Sequence, residues 1–497
     1  MAEVDEIYQI PQWTEIGNQT GLDPLGMMRP SELIYQPLLA GISTITNRLR
    51  YYSFLPWVCH FYAKEYADTN LDEFRKFLRH AESLYALIGY VGTVDRGLTG
   101  SNWASRFLSA NKENQTLEFG ESARKLENGF LNNQSGALGA IYGAQIAEMG
   151  LIRKADGHDI MVPTDLGIEM ASAFEKVLGP HHSVFVKAIR NGRIERTELE
   201  ALSFLRPSEI KTGTTEWGLL KKSLFGIDAF ESDRSSLRKG SLKRMLDYVS
   251  ITKAWPSPDT MRWAWYLQDF KTENPDKWLV YHMNDLLKFG YEAVFKYALD
   301  VMKSSPGETL SWQALLSKII EPLDEVEGDF LEGVSLDGSE NDQVTSLMKM
   351  GDATAQLSDE ICQTAIKLIR KTLHWASAHK DILQDSFRHD NYFQSLRTEL
   401  NFISSLETQE KNSVMTEVVS ERILKRHLWV AARKFRSDSK YTFLFEPVES
   451  ALRYKDGLGV WMGYPRIAPA IQYLADLSLI SQDEGLTEIG RDVLQSL

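Results

Sequence analysis

The segment Ile146-Ala147-Glu148-Met149-Gly150-Leu151-Ile152, followed by Thr164-Asp165-Leu166-Gly167, has a counterpart late in the chain. There, Leu474-Ala475-Asp476-Leu477-Ser478-Leu479-Ile480 precedes Thr487-Glu488-Ile489-Gly490. In both copies an apolar-faced helix carrying one acid ends in Leu-Ile. A polar turn follows, and Thr-acid-aliphatic-Gly opens a second amphipathic helix. The threonine is a natural N-cap, because its hydroxyl can accept a backbone N–H that the first helical turn leaves without a partner. A twofold pattern of this kind defines a module and not a reaction.

The order of elements resembles winged-helix domains, in which the Leu-Ile leads into the wing hairpin and the Thr caps the helix behind it. The resemblance implies a module that docks DNA or another protein. A recognition helix needs Arg, Lys, Asn or Gln directed at base edges. The first copy offers only Gln145, Tyr142 and Asn133. The second offers Arg466, Gln472 and Tyr473, with Arg453 and Lys455 upstream, and is the better candidate.

Outward from the two copies, the pattern is helical. Phe74, Leu78, Leu84 and Leu87 predict one amphipathic helix over 71–90. Ser31 is placed to cap a helix reaching Leu38, Thr44 or Thr46 to start the next, and Pro56 to kink or end that one. Trp278, Tyr281, Leu287, Tyr291, Val294 and Tyr297 form one stripe. Ile361, Ala365, Leu368, Ile369 and Ala376 form another, with Ser358 as its N-cap. Polar loops are expected over 92–102 and 207–215, and a short strand over 441–445. Residues 321–342 hold nine acids and no base, and read as a solvated loop or a partly disordered segment. The expected class is mainly α: a multi-domain helical body with two winged-helix-like modules. The linear division is an N-terminal helical domain over 1–130, the first module over 131–180, a central helical domain over 181–420, and a basic helix with the second module over 421–497.

Composition narrows the function. The 497 residues carry a net charge of −13, with 43% apolar and 25% charged residues. That balance suits a globular protein and argues against general coating of nucleic acid, while leaving room for a local basic face. No apolar run is long enough to span a bilayer, and 1–15 lacks a signal-peptide pattern, so a cytoplasmic protein without membrane contact is expected. Cys59 and Cys362 read as buried thiols, and no cysteine pair has zinc spacing.

Basic residues concentrate at Arg422, Lys425, Arg426, Arg433, Lys434, Arg436 and Lys440, interleaved with Trp429, Phe435 and Tyr441. On a helix, Arg422, Arg426 and Arg433 share a face, with Lys425 and Arg436 on its flank. Such a face can track phosphates, so these seven residues, with Arg466 and Gln472, form the expected nucleic-acid contact. A solvated face paired with carboxylates is the plainer alternative. A second cluster, Arg234, Arg238, Lys239, Lys243 and Arg244, suits a phosphate at a helix start. The block Arg48-Leu49-Arg50-Tyr51-Tyr52-Ser53-Phe54 reads first as an aromatic core whose arginines pair with nearby acids such as Asp23 or Glu32. Its second reading is an Arg–aromatic platform for a base.

Catalytic motifs are missing. Gly97, Gly100 and Ser101 lack the Lys of a P-loop, and no His-Glu-x-x-His, Gly-x-Gly-x-x-Gly or Gly-x-Ser-x-Gly occurs. His374 and His379 would stand about 140° apart on a helix, which suits no single metal. His181-His182 reads as structural. His389-Asp390 alone invites a nuclease reading. No cofactor and no metal are expected.

The stretches Gly21-Leu22-Asp23-Pro24-Leu25-Gly26-Met27 and Asn47-Arg48-Leu49-Arg50-Tyr51-Tyr52-Ser53-Phe54, with the twofold module, are similar to uncharacterised bacterial proteins encoded with multi-gene anti-phage defence systems. The resemblance implies an accessory subunit that recognises DNA or partner proteins, while another subunit, an ATPase or nuclease, supplies catalysis. The function expected is therefore a non-catalytic nucleic-acid-binding or scaffold subunit. A protein-docking adaptor without DNA contact and a metal-dependent nuclease are the alternatives.

Overall fold

In a computed structural model of the chain, the structure describes residues 23–92, 95, 97–269, 276–325, 330–331, 334, 336–351, 357–388, 394–406, 410–438 and 441–497. The fold is mainly helical, with a few short strands. The helices sort into two compact units that interleave along the chain. The first comprises Tyr35–Arg262 and Tyr464–Leu497, the second Met1–Ile34 and Trp263–Gly463. Linear position therefore does not decide membership. The segment 421–497 is divided at residue 463, so that the basic helix and the second sequence copy belong to different units.

Both sequence copies lie in the first unit, and they repeat one hydrogen-bond pattern. Helices Gly143–Glu148 and Ile467–Asp476 end where Gly150 and Ser478 take positive φ. Hairpins follow, pairing Ile152–Lys154 with Met161–Pro163 and Ile480–Ser481 with Gly485–Leu486. Thr164 and Thr487 then cap helices Asp165–Leu178 and Glu488–Ser496. Each hydroxyl accepts from the N–H three residues on, Gly167 at 3.1 Å and Gly490 at 2.9 Å. Each also donates back to the positive-φ residue, at 2.5 Å to Gly150 O and 2.7 Å to Ser478 O. The glycine of Thr-acid-aliphatic-Gly is obligatory, because a Cβ would lie 1.8 Å from Leu151 O in one copy and 2.0 Å from Leu479 O in the other.

The acid of each copy faces inward and holds one end of the segment 41–49. Glu148 accepts the Gly41 N–H at 2.7 Å and pairs with Arg234. Asp476 accepts the Leu49 N–H at 3.0 Å, Arg48 Nη1 at 2.6 Å and Gln472 Nε2 at 2.9 Å. The next turn starts helix Tyr51–Tyr66, which buries eleven side chains. Tyr51 stacks on Tyr142 at 4.3 Å and Phe54 on Tyr85 at 4.1 Å, while Trp57 lies against Phe174 and Phe185. Arg50 is buried and fully engaged. It meets Glu216 through Nε at 3.1 Å and Nη2 at 2.9 Å, and the carbonyls of Phe204, Arg206 and Glu209 through Nη1. The arginine–tyrosine block is thus an aromatic core, with partners remote in sequence and not Asp23 or Glu32.

Several boundaries follow the sequence and several do not. Helix Leu71–Tyr90 falls where its apolar period places it, capped by Asn70. Pro56 does not end its helix. The ring removes one backbone donor, but the residues around it, from Tyr51 to Cys59, are all buried, and the helix continues to Tyr66. Thr46 starts no helix, because its hydroxyl closes the 43–46 turn by accepting the Ser43 N–H at 2.9 Å. Strands Thr116–Glu118 with Arg193–Glu195, and Thr309–Ser311, have too few residues to show alternation. The strand expected over 441–445 forms at Phe445–Val448.

In the second unit, helix Lys277–Lys303 is buried around its circumference. Its charges satisfy one another along its length: Lys288 lies 3.7 Å from Asp285 and 3.3 Å from Glu292, and Lys296 lies 2.6 Å from Asp300. Helix Asp359–Ala378 packs against it at Gly290, where a Cβ would sit 2.7 Å from Ile369 Cγ1. Ser358 precedes that helix without a capping hydrogen bond. Strands Thr309–Ser311, Ala451–Tyr454 and Phe445–Val448 form one antiparallel sheet in that order.

The described part of the acidic segment is docked, contrary to the solvated loop expected. Lys371 binds Asp337 at 2.8 Å and Glu340 at 3.0 Å, Arg370 Nε donates to Phe330 O, and Phe330 and Leu323 are buried. Hydrogen bonding to Lys371 holds the Asp337 carboxyl well below the usual range. Among the described residues no helix is long and apolar enough to cross a membrane.

Asp476→Ala takes from buried Arg48 its nearer carboxylate, with Asp95 remaining at 3.8 Å, and from the Leu49 N–H its acceptor, and should cost the first unit about 3 kcal/mol in denaturant unfolding. A second expectation concerns His427 in the second unit. Its Nδ1 faces Pro24 O at 3.2 Å and its Nε2 accepts the Leu444 N–H at 2.9 Å, so the neutral ring is the one that fits. Burial pulls it down from 6.5 to about 4. The unfolded chain then binds the extra proton first, so stability present above pH 6.5 is lost as the pH falls toward 4, by about 3 kcal/mol. Unfolding midpoints measured across pH 4–7 should show this slope, and His427→Gln should flatten it.

Candidate nucleic-acid interface

The expected basic cluster lies on a helical run that changes pitch. Helix Lys411–Glu417 passes into a π-helical turn, Val418–Leu424, and then into the basic helix Lys425–Asp438. The wider turn advances the chain by less rotation per residue, so Arg422 does not keep the azimuth that an uninterrupted α-helix would give it. The buried carboxylate of Glu399, on helix Leu396–Ser404, organises the start of the basic helix. It receives Arg426 Nη2 at 2.5 Å and the Tyr291 hydroxyl at 3.1 Å, with Arg422 Nε at 3.6 Å.

The nine expected contact residues therefore separate by role. Arg426 is buried on Glu399, and Arg422 lies over the Phe402 ring, 4.0 Å from its centroid. Lys434 Nζ donates to Asp23 O at 2.7 Å. These three hold the helix to its unit and do not form an open face. Lys425, Arg433 and Arg436 are exposed, Lys425 with Glu421 as a surface partner. Lys440 lies outside the described residues. Arg466 and Gln472 belong to the first unit, Arg466 over the Tyr35 ring at 5.9 Å and Gln472 on Asp476. The predicted face of Arg422, Arg426 and Arg433 is thus corrected: the exposed stripe is Lys425, Trp429, Arg433 and Arg436. Trp429 is 44% and Phe435 47% exposed, and the Arg433 guanidinium lies 5.5 Å from the Trp429 centroid.

Other candidates from the sequence have structural roles. Tyr142 and Tyr473 are core residues. Arg238 is buried and donates to the carbonyls of Ala40, Ser223 and Leu224, and burial pulls it down to about 10. Arg234 pairs with Glu148 and stays exposed, so of the second basic cluster it is Arg238 that the fold takes up. His181 and His374 lie against Phe204 and Leu331 O respectively, and His379 is stacked on Trp375. His389 and Asp390 lie outside the described residues. Among the described residues no three His, Cys, Asp or Glu side chains come together as a metal site. Both thiols are buried, and burial pushes each of them up.

Sequence reasoning missed a polar cleft of about 820 Å³ in the first unit, between the loop 206–214 and helix Asp165–Leu178. Lys176, Lys211 and Thr215 stand at its mouth and Glu216 and Arg50 at its wall. The wall charges already satisfy each other, and no local sequence signal relates residues so far apart.

Compared with protein-family models, curated proteins and solved structures, the chain matches none. The site is therefore read from its own geometry.

The separation of roles is measurable. Arg426→Ala leaves Glu399 buried with its main cation gone, and should destabilise the second unit by about 3 kcal/mol or more. Arg433→Ala and Arg436→Ala should each stay within about 0.5 kcal/mol of the parent in the same denaturant titration.

Proposed function

We propose that the chain is a non-catalytic nucleic-acid-binding subunit that grips a phosphate backbone through the exposed face of helix Lys425–Asp438. The carrying observation is the stripe of Lys425, Arg433 and Arg436, left in solvent while the other described cations of that helix are consumed by Glu399 and Asp23. A net charge of −13 over the chain restricts such binding to a local patch. In this reading the two helix–hairpin–helix copies are winged-helix modules used for packing, since Tyr142, Tyr473 and Asp476 are buried and Glu148 is engaged by Gly41 and Arg234. On the same reading the chain is a subunit of a multi-protein bacterial complex, as the resemblance of 21–27 and 47–54 to anti-phage defence accessory proteins implies, with catalysis in a partner ATPase or nuclease. Arg48, Arg50, Tyr51 and Tyr52 then carry the fold of such a subunit and not its activity.

The test is fluorescence anisotropy of the whole protein with a labelled nucleic acid over a series of salt concentrations. Three phosphate contacts predict a log–log salt slope of about −2 to −3. Arg433→Glu combined with Arg436→Glu should weaken binding at least tenfold with the unfolding midpoint unchanged. Binding that ignores salt, or that survives this double variant, removes the face from consideration. A stable co-purifying protein partner together with no nucleic-acid binding at low salt would favour the adaptor reading.

A further inference from the structure

The chemistry of the same face selects among nucleic acids. We propose that it takes single-stranded nucleic acid, with bases stacked on Trp429 and Phe435, in preference to the groove of a duplex. The inference rests on the backbone-binding reading above.

Lys425 and Arg436 are eleven residues apart, which returns them to within about 20° of one another around the helix and separates them by about 16 Å along it. Trp429 lies about 40° to one side of Lys425 and Phe435 about 80° to the other. A line of positive charge is thus flanked by two aromatic side chains, each nearly half exposed. Elsewhere in the second unit Phe289, Phe295, Tyr291 and Phe445 are buried and Trp461 is exposed, and on the basic helix the two exposed rings lie beside the exposed cations. The aromatic path continues beyond the helix: Tyr441 meets Phe435 edge-on at 6.4 Å and Phe443 at 5.3 Å.

A duplex offers this surface little. Its bases are stacked on one another, and an aromatic side chain reaches a base face only by prying a step apart, at a cost of a few kcal/mol. Groove readout uses amide side chains along with arginine, and residues 425–436 contain no Asn, Gln, Ser or Thr. A single strand has open base faces, and stacking on aromatic rings tolerates any sequence. Arg433 beside the Trp429 ring adds a cation where the phosphate next to a stacked base would pass.

The experiment compares four labelled probes on the whole protein at one salt concentration. They are a thymidine oligonucleotide, a uridine oligonucleotide of equal length, an equal-length strand that is mostly abasic, and a blunt DNA duplex. At least one base-bearing single strand should bind tenfold or more tighter than both the abasic strand and the duplex. The stronger of thymidine and uridine identifies DNA or RNA as the source, and either supports the inference. Trp429→Ala with Phe435→Ala should lower single-strand affinity at least tenfold, to the abasic level, without changing abasic binding or the unfolding midpoint. Trp429→Tyr should restore much of the loss. Equal affinity for base-bearing and abasic strands, or a duplex that binds as tightly as a single strand, overturns the inference while leaving the backbone reading intact. Absence of binding by all four at that salt concentration overturns both.

Discussion

The first unit depends on a single buried carboxylate. Asp476 sits at the end of the second repeated helix and takes Arg48, the Leu49 N–H and Gln472. Burial raises its proton affinity, and Arg48 opposes that most strongly. By fixing residues 48 and 49 it sets the start of helix Tyr51–Tyr66, and with it the orientation of Tyr51, Phe54 and Trp57 in the core. Glu148 does the same for Gly41 in the first copy. The duplicated module is therefore a pair of clamps, and its acids are structural because each accepts backbone N–H groups that have no helical partner.

The same economy of charge runs through the second unit. Arg426 and Arg422 are drawn to Glu399, Lys371 to Asp337 and Glu340, and Lys288 and Lys296 to the acids on their own helix. Buried cations are tolerated where a carboxylate and further hydrogen bonds surround them. What remains outside is small, and for that reason chemically informative. On the basic helix the described residues leave three long cations and two aromatic rings in solvent, on one arc of about 160°.

Much of the fold was legible because it is local. The period of Phe74, Leu78, Leu84 and Leu87 gives helix Leu71–Tyr90 directly, and Thr-acid-aliphatic-Gly gives two capped helices, since cap and close approach are encoded within four residues. What stayed hidden is long-range or subtle in pitch. Nothing near Arg48 names Asp476 as its partner, and nothing near Arg50 names Glu216. Arg426 resembles its exposed neighbours in every local respect. Only the carboxylate of Glu399, on a different helix, makes it a structural residue. The π-helical turn Val418–Leu424 carries no Gly or Pro to announce it, so a wheel drawn at constant pitch put Arg422 on the wrong line.

The Arg48–Asp476 pair spans 428 residues of chain. During synthesis at roughly 5–20 residues per second, Arg48 leaves the ribosome about 20–90 s before its carboxylate exists. Through that interval the segment 41–49 lacks its Asp476 anchor, while Tyr85, Tyr142, Phe174 and Phe185, which enclose Tyr51, Phe54 and Trp57, are made far earlier. The aromatic core can therefore close long before its terminal clamp exists. A chain that stops before residue 476 keeps those aromatic neighbours and lacks the carboxylate that receives Arg48 at 2.6 Å and the Leu49 N–H at 3.0 Å.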